Sequence, residues 1–506
     1  MKTLLLIIFL GALFLRLLYF PNNIYFGFDQ ARDAYQALEI AGGNLKIIGP
    51  STSFPGLFHG VLYYYLLSPF YFLGNMSPEF TALILRILNA LGVFLIFYLG
   101  KILFNKKIGL LSAILFAISF EQTQFAIYMG NPAPAVISVL LMYLGLAAVI
   151  FAKNYHGLPL TFLGLGFSIQ FQFALLYLTL PFFLIVVIFY KDFKSVPIKL
   201  WLLSLGTGFL TVATFVLAEV KFGFPMLQGL LGLSNFNTQK TLVNIWQTYF
   251  YTVSRMLTFN FSENFNTILA TILGLVFLWV LWKGHFPKQL IFLGIWFFSI
   301  FVTFVIHGGV ENLQRDIPLF YPNVGVSLAL LIFVAFLLGF IFEKYFIAGV
   351  ILLILIFLNN FNLIQTLNPQ GTISEIDVQQ GMLLGDQKKS LDFLYTDARG
   401  EPFAVKAVTL PFFVNTTWSY LFEWYGKNKY GYLPLWNGKN ALGYPGNLTV
   451  QEKQEGLPES RYVIVEPTRG IATHLINDYL REEGYFTKVI EEKKFGSIVV
   501  QKRIKI

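Results

Sequence analysis

The stretch MKTLLLIIFLGALFLRLLYF, Met1 to Phe20, runs straight into PNNIYFGFDQARDAYQ, Pro21 to Gln36. The first half has one lysine at its start and an apolar run long enough to cross a bilayer core of roughly 30 Å as a helix. No small-residue cleavage site precedes Pro21-Asn22-Asn23, so it reads as a retained first span. The second half gathers charge where the chain leaves the membrane. Spacings of three and four put Asp29, Arg32, Asp33 and Gln36 on one helix face, and Gly42-Gly43 stops that helix after Ile40.

The same alternation repeats along the chain. Apolar blocks predict spans at Thr3 to Phe20, Phe80 to Phe104, Ile108 to Tyr128, Pro134 to Phe151, Leu158 to Phe171 and Phe173 to Tyr190. Further blocks follow at Ile198 to Val220, Ile268 to Trp282, Gln289 to Ile306, Leu319 to Ile341 and Tyr345 to Ile364, about eleven in all. With 56% hydrophobic and 12% charged residues over 506 positions, the chain has too few charges to cover a soluble globule. It has no cysteine, which excludes disulfides, thiolate metal sites and a cysteine nucleophile. The net charge of +9 does not point to nucleic acid, because the lysines and arginines of the first two-thirds sit mostly in short loops between apolar blocks.

With Lys2 cytoplasmic, every second connection should be basic. Lys106-Lys107, Lys153 to His156, Lys191 to Lys199, Lys283 to Lys288 and Lys344 all fall on that inside count. The connections Pro21 to Glu79, Met129 to Pro132, Lys221 to Asn266 and His307 to Pro318 then face outward, and so does the tail. Residues 1–364 read as a membrane domain and residues 365–506 as a soluble extracytoplasmic α/β domain. In the tail, short β-type runs (Phe403 to Thr409, Tyr462 to Val465, Ser497 to Val500) alternate with helical ones (Thr417 to Tyr425, Ile471 to Glu483). The expected class is a polytopic α-helical membrane protein with interfacial helices in its first outward loop and a C-terminal α/β domain. No internal repeat supports an inverted-repeat transporter.

The first outward loop has the groups a sugar transfer needs: a carboxylate to take a proton from an attacking hydroxyl, and cations to hold a departing phosphate. The plainer reading has Asp29 capping a helix and Asp33 pairing with Arg32 at a wet surface. Downstream, Gly49-Pro50 to Gly60 is a loop fixed by prolines and glycines that delivers His59 to an aromatic helix beginning near Leu62-Tyr63-Tyr64-Tyr65. That helix is too short to span and is expected to lie at the outer interface. Arg86 sits inside an apolar span, where an unpaired charge is costly; it is either a phosphate contact or a partner for a buried carbonyl or carboxylate. Arg16 is expected to snorkel toward the outer headgroups. The aromatic stretches Thr417 to Tyr425 and Tyr430 to Trp436 are either core or sugar-stacking surfaces.

These residues resemble the C-type membrane glycosyltransferases, in particular the family of protein O-mannosyltransferases and of the aminoarabinose transferase acting on lipid A. Asp29-Gln30-Ala31-Arg32 is similar to that family's Asp-Glu-x-Arg signature after the first span, and His59-Gly60-Val61-Leu62-Tyr63 to its proline-rich loop. Weaker echoes are Tyr128 to Pro132, Gly164 to Gln172, and Gln314 to Pro322. The chain departs from the family at Gln30, where an acid is usual, at Asp33, where tyrosine is common, and at Asn131, where relatives often have a second aspartate.

The resemblance implies an inverting transfer from a polyprenyl-phosphate sugar to an extracytoplasmic acceptor hydroxyl on a protein, glycan or lipid. Asp29 is then the general base, Asp33 supplies a second charge, and Arg32, His59 and Arg315 contact the donor phosphate. Gln30, Asn131 and Tyr63 contact the acceptor or sugar. No nucleotide is needed and no cofactor is implied with certainty; a divalent metal stays open, although Gln30 and Asn131 weaken a carboxylate pair for it. The expected site is an integral bacterial or archaeal cell membrane. A lipid or small-molecule transporter, or an inactive relative that still binds the lipid carrier, is the rival reading.

Overall fold

The computed structural model describes all residues except 53–55, 233–241, 265, 285, 304–322 and 374–378. The first half is a run of helices: α1 (Lys2–Leu17), α2 (Phe28–Ala41), α3 (Leu62–Leu73), α4 (Pro78–Ala90), α5 (Gly92–Leu103), α6 (Lys106–Ile118), α7 (Phe120–Ile127), α8 (Pro132–Phe151) and α9 (Gly157–Phe171). After a 3-10 turn at Phe173–Leu178 come α10 (Thr179–Ile188), α11 (Tyr190–Lys194), α12 (Ile198–Phe222), α13 (Pro225–Gly232), α14 (Leu242–Asn260), α15 (Asn266–Trp282) and α16 (Pro287–Phe298). The described residues resume with α17 (Val326–Lys344) and α18 (Phe346–Leu367), followed by the tail helices α19 (Leu384–Ala398), α20 (Thr416–Leu421), α21 (Lys427–Tyr430) and α22 (Thr473–Gly484).

Among the described residues five helices are long and apolar enough to cross a membrane: Pro78–Leu103 (α4 with α5), α8, α12, α17, and α18 with its extension to Gln370. A sixth is made if α6 and α7 count as one broken span bent by 56°. The blocks expected at Leu158 to Phe171, Phe173 to Tyr190 and Ile268 to Trp282 form helices shorter than 18 residues, and the block expected at Gln289 to Ile306 is helical up to Thr303, beyond which it lies outside the described residues. This is a membrane protein, with fewer full-length spans among the described residues than the block count suggests. The stretch Lys221 to Asn266, expected as an outward connection, contains the 19-residue helix α14, which packs on α7, α15 and α18.

The bend between α6 and α7 has a physical origin. Ser119 is extended (ψ 122°), and its Oγ accepts the N–H of Gln122 at 3.1 Å, starting a new helix. Glu121, Gln122, Thr123 and Gln124 are all buried, so the polar run lies inside the bundle. The break leaves the last carbonyls of α6 without helical partners. Arg16 supplies them: its Nη1 donates to Ala117 O at 3.1 Å and its Nη2 to Phe116 O at 3.3 Å. Arg16 therefore does not snorkel. It is fully buried, with Nε on Asn89 Oδ1 at 2.7 Å and its plane over the Phe116 ring. Arg86 is also fully buried and bonds a carbonyl, Arg16 O at 3.0 Å, together with Asn23 Oδ1 at 2.9 Å.

The basic loops are drawn toward one another: Lys107 pairs with Glu343 at 3.4 Å, Lys153 with Asp192, and Phe104 stacks on Phe336 and meets Phe286 edge-on. The start of α4 lies against the tail instead, where Glu79 meets Lys388 at 2.8 Å and the Met76 carbonyl accepts from Tyr420. The 26 residues of Pro78–Leu103, about 39 Å at 1.5 Å per residue, separate these two ends.

The tail builds a six-stranded sheet in the order β3-β2-β1-β4-β6-β5. Its strands are β1 (Ala404–Val408), β2 (Leu435–Asn437), β3 (Val450–Gln451), β4 (Arg461–Val465), β5 (Thr487–Phe495) and β6 (Ile498–Lys505). The first four pair in parallel, and β6 runs antiparallel to β4 and β5. β1 and β4 are almost wholly buried, the continuous apolar pattern of strands covered on both faces. The three expected strands and two expected helices are present; β2, β3, β5 and α19 were not foreseen.

Replacing Arg16 with Met keeps the bulk but removes every donor, leaving buried acceptors orphaned at roughly 1–3 kcal/mol each. The apparent unfolding midpoint in detergent should fall by several degrees, with Arg16→Lys recovering part of the loss. A midpoint within about 2 °C of wild type would show that the guanidinium carries no such role.

Candidate functional site

α2 begins at Gly27, whose N–H donates to Gln30 Oε1 at 3.2 Å. The other end of the Gln30 amide donates to Met129 O at 2.9 Å and so ties the start of α2 to the turn before α8. Gln30 is buried with both amide ends engaged, which makes it a brace between two loops. The segment before α2 is pinned as well. Phe26 N donates to Met382 O at 3.0 Å, Leu384 N to Ile24 O at 2.8 Å, and Gln387 Nε2 to Phe26 O at 2.7 Å.

On that frame Asp29, Arg32 and Asp33 meet. Arg32 Nη1 lies 2.7 Å from Asp29 Oδ1, while its Nη2 and Nε donate to Asp33 Oδ1 at 2.7 and 3.0 Å. The carboxylates differ in environment: the Asp29 side chain is 59% exposed and that of Asp33 only 4%. Asp33 is thus an Arg32 partner, as the plain reading expected, but in the interior and not at a wet surface. Burial pushes the Asp33 carboxyl up to about 6; Arg32 and a Tyr64 hydrogen bond oppose the shift, and Asp29 adds to it. Burial works against the Arg32 cation, but Asp33 and Asp29 more than offset it and hold the guanidinium charged. Tyr63 is buried beside them in α3, within electrostatic reach of Asp33 and Tyr128.

The loop before α3 folds back on itself. His59 N donates to Pro50 O at 2.8 Å and Thr52 N to Leu57 O at 2.9 Å. The glycines here are steric necessities: a Cβ at Gly60 would lie 2.0 Å from Gln170 Oε1 and 2.5 Å from the Gln170 carbonyl, and one at Gly49 would lie 2.4 Å from His59 O. His59 faces Arg32 and Asp29. Burial lowers its value to about 4, Arg32 lowers it too, and Asp29 opposes both. Its Nδ1 accepts the Phe173 N–H at 3.4 Å, so the neutral ring has an Nε2–H to donate. The ring is therefore uncharged at neutral pH, with Nδ1 engaged by the backbone.

Asn131 opens α8 with its side chain buried and makes no capping bond. Arg315 lies outside the described residues. Among the described residues no group of three or more His, Asp or Glu side chains could hold a metal ion. Sequence reasoning missed the role of α20. There Tyr420 meets Phe26 at a tilt and Tyr35 and Tyr71 edge-on, and Glu423, just beyond it, accepts the Tyr35 hydroxyl at 2.8 Å. The aromatic density of Thr417 to Tyr425 was the signal, and it turns out to be packing against α2.

No protein-family model matches the chain, and no curated protein sequence matches it significantly. Solved structures do. ArnT from Cupriavidus metallidurans in the apo state superposes with a TM-score of 0.62 at 12% identity, covering 98% of this chain and 97% of that one. The same protein bound to undecaprenyl phosphate gives 0.60 at 11% identity over equal shares. The Archaeoglobus fulgidus oligosaccharyltransferase gives 0.48 at 13% identity over 82% of this chain and 63% of its own, too loose for comparing sites. The chain therefore has a C-type glycosyltransferase fold. In particular it is built like ArnT from end to end, sheet domain included, in agreement with the resemblance carried by Asp29 to Arg32 and His59 to Tyr63.

Asp33 gives a testable pH dependence. Its folded value, about 6, is above its ordinary 3.8, so the stability it contributes is full below about 3.8 and is lost as pH rises through 6. Asp33→Asn should flatten the pH dependence of the unfolding midpoint across that window, and an unchanged slope would remove Asp33 as its source.

Proposed function

We propose that this protein is an inverting glycosyltransferase that takes a sugar from a polyprenyl-phosphate carrier and attaches it to an acceptor hydroxyl on the extracytoplasmic side of the membrane. The observation that carries the reading is the exposed carboxylate of Asp29, held by Arg32 at the start of the helix that follows α1. A second support is the fold shared with a protein that has been crystallised with undecaprenyl phosphate. The sidedness rests on the lysine-rich loops gathering away from the end that has α2, His59 and the sheet domain.

In this mechanism the acceptor hydroxyl gives its proton to Asp29 as its oxygen attacks the anomeric carbon. The bond from that carbon to the phosphate oxygen breaks, its electron pair leaves with the carrier phosphate, and the configuration inverts. Phosphate departs without protonation, so one base suffices, unlike glycoside hydrolysis with its acid and second carboxylate. The positive end of the α2 dipole, the His59 Nε2–H and the Arg32 donors not held by carboxylates attract the phosphate. Arg315 is the further cation assigned to it, and Asn131 is assigned to the sugar, whereas Tyr63, fully buried in α3, supports Asp33 from behind. The membrane body is residues 1–364, and residues 365–506 cover the site from the aqueous side.

Asp29→Asn should reduce carrier-phosphate release from a radiolabelled polyprenyl-phosphate sugar by about 100-fold or more while donor binding survives. Near-normal turnover would remove Asp29 from the base role. His59→Ala should weaken donor use by roughly tenfold or more, the worth of one hydrogen bond to a charged group, and His59→Gln should restore much of it. Equal losses in both variants would mean that the ring serves packing only.

A further inference from the structure

The aromatic stretches that the sequence singles out in the tail are interior: Trp418, Tyr420 and Phe422 are fully buried, and Trp436 nearly so. Tyr444 is different. It lies in the loop 438–447 between β2 and β3, is 47% exposed, and meets the Phe28 ring edge-on at 5.7 Å. Phe28 immediately precedes Asp29, and the Arg32 guanidinium lies over its face at 5.6 Å. With that face of Phe28 covered, the open aromatic surface beside Asp29 belongs to Tyr444.

The loop is anchored where it matters. Thr416 Oγ1 donates to Pro445 O at 2.6 Å, Asn447 N to Ser419 Oγ at 2.8 Å, and the Asn447 side-chain amide to Glu423 Oε2 at 3.1 Å. Glu423 Oε1 accepts the hydroxyl of Tyr35, a residue of α2. One carboxylate thus grips both the loop with Tyr444 and the helix with Asp29, and their separation is fixed by packing. Gly443, at φ 84°, supplies the bend that turns the loop toward α2.

We propose that Tyr444 and Phe28 form the acceptor subsite and that the acceptor is a carbohydrate, a pyranose ring stacking its C–H face on Tyr444 while one hydroxyl reaches Asp29. The inference rests on the transferase reading and adds its substrate class. A half-exposed flat ring packed on Phe28, whose chain neighbour Asp29 presents an exposed carboxylate, offers what a sugar requires, a surface for its apolar face and a partner for a hydroxyl. A peptide acceptor would look for a free backbone edge. Here the backbone at Pro445, Asn447 and Leu448 is already bonded to Thr416 and Ser419.

The test uses the full chain in lipid nanodiscs. Methyl glucoside, methyl mannoside, methyl galactoside and a serine- and threonine-containing peptide are compared as probes by saturation-transfer NMR. Transfer is then measured from a radiolabelled undecaprenyl-phosphate sugar. At least one pyranoside should take saturation on its ring protons, and Tyr444→Ala should abolish it and raise the Michaelis constant for that pyranoside roughly tenfold, well beyond any change for the donor. Tyr444→Phe, which keeps the ring, should bind like wild type. Saturation of the peptide instead, of no pyranoside at all, or of a pyranoside equally well by Tyr444→Ala overturns the proposal. Carrier-phosphate release by the wild type separates the two levels: release without pyranoside recognition sinks only the acceptor class, whereas no release sinks the transferase reading itself.

Discussion

Two guanidinium groups inside the bundle, Arg16 and Arg86, set the terms for the rest of the molecule. Neither touches a carboxylate among the described residues, and both are fully buried. A bare cation in such a place would be prohibitively costly. What makes these tenable is the negative end of a helix: Arg16 caps the last carbonyls of α6, and Arg86 caps the last turn of α1 through the carbonyl of Arg16. The bend between α6 and α7 and the exit of the chain from α1 are therefore one feature, since the cation that permits the first is a residue of the second.

From there the constraint passes by amide side chains to the site. Arg86 holds Asn23 Oδ1, and the Asn23 amide donates to Asn368 O at 3.0 Å. The Asn368 side chain joins Gln124 at 2.7 Å and Thr123 at 3.1 Å on α7. Asn23 leads into Tyr25 and Phe26, which pair with the 382–384 segment of the tail, while α7 ends at the turn whose Met129 carbonyl holds Gln30. The helix with Asp29 is thus braced at both of its approaches by groups that belong to the same buried polar chain. A carboxylate proposed as the base and itself more than half exposed needs such support, because among the described residues Arg32 is the ion partner that fixes its side chain.

Much of this was legible in the sequence, for reasons that can be named. Apolar block length located the helices, and lysine placement separated the ends, because both follow from the bilayer as solvent. Helical spacing brought Asp29, Arg32 and Asp33 together correctly. The depth of each group was not legible: Asp33 and Arg16 look like surface residues in a linear reading, and their burial comes from α3, α4 and α6, far away in sequence. A signal was overlooked in the run Ser119 to Gln124, six residues with five polar side chains inside an apolar block, which marks a broken span and its internal hydrogen bonds. The loop 438–447 gave none, since its place beside Phe28 depends on the docking of the whole sheet domain.

The electrostatics of the site follow from the same difference in depth. At neutral pH the neutral His59 offers a donor without adding a charge, and Arg32 is the cation facing Asp29. Two of its three nitrogens are held by a carboxyl that burial pushes up to about 6, toward neutral pH. Under the proposed mechanism an arriving carrier phosphate, a diester with a single negative charge, raises the affinity of that buried carboxyl for a proton and competes for the same guanidinium. Each effect favours transfer of Arg32 from Asp33 to the phosphate. Asp33 therefore keeps the arginine ordered and charged, and under the proposed mechanism it would release that arginine to the lipid head.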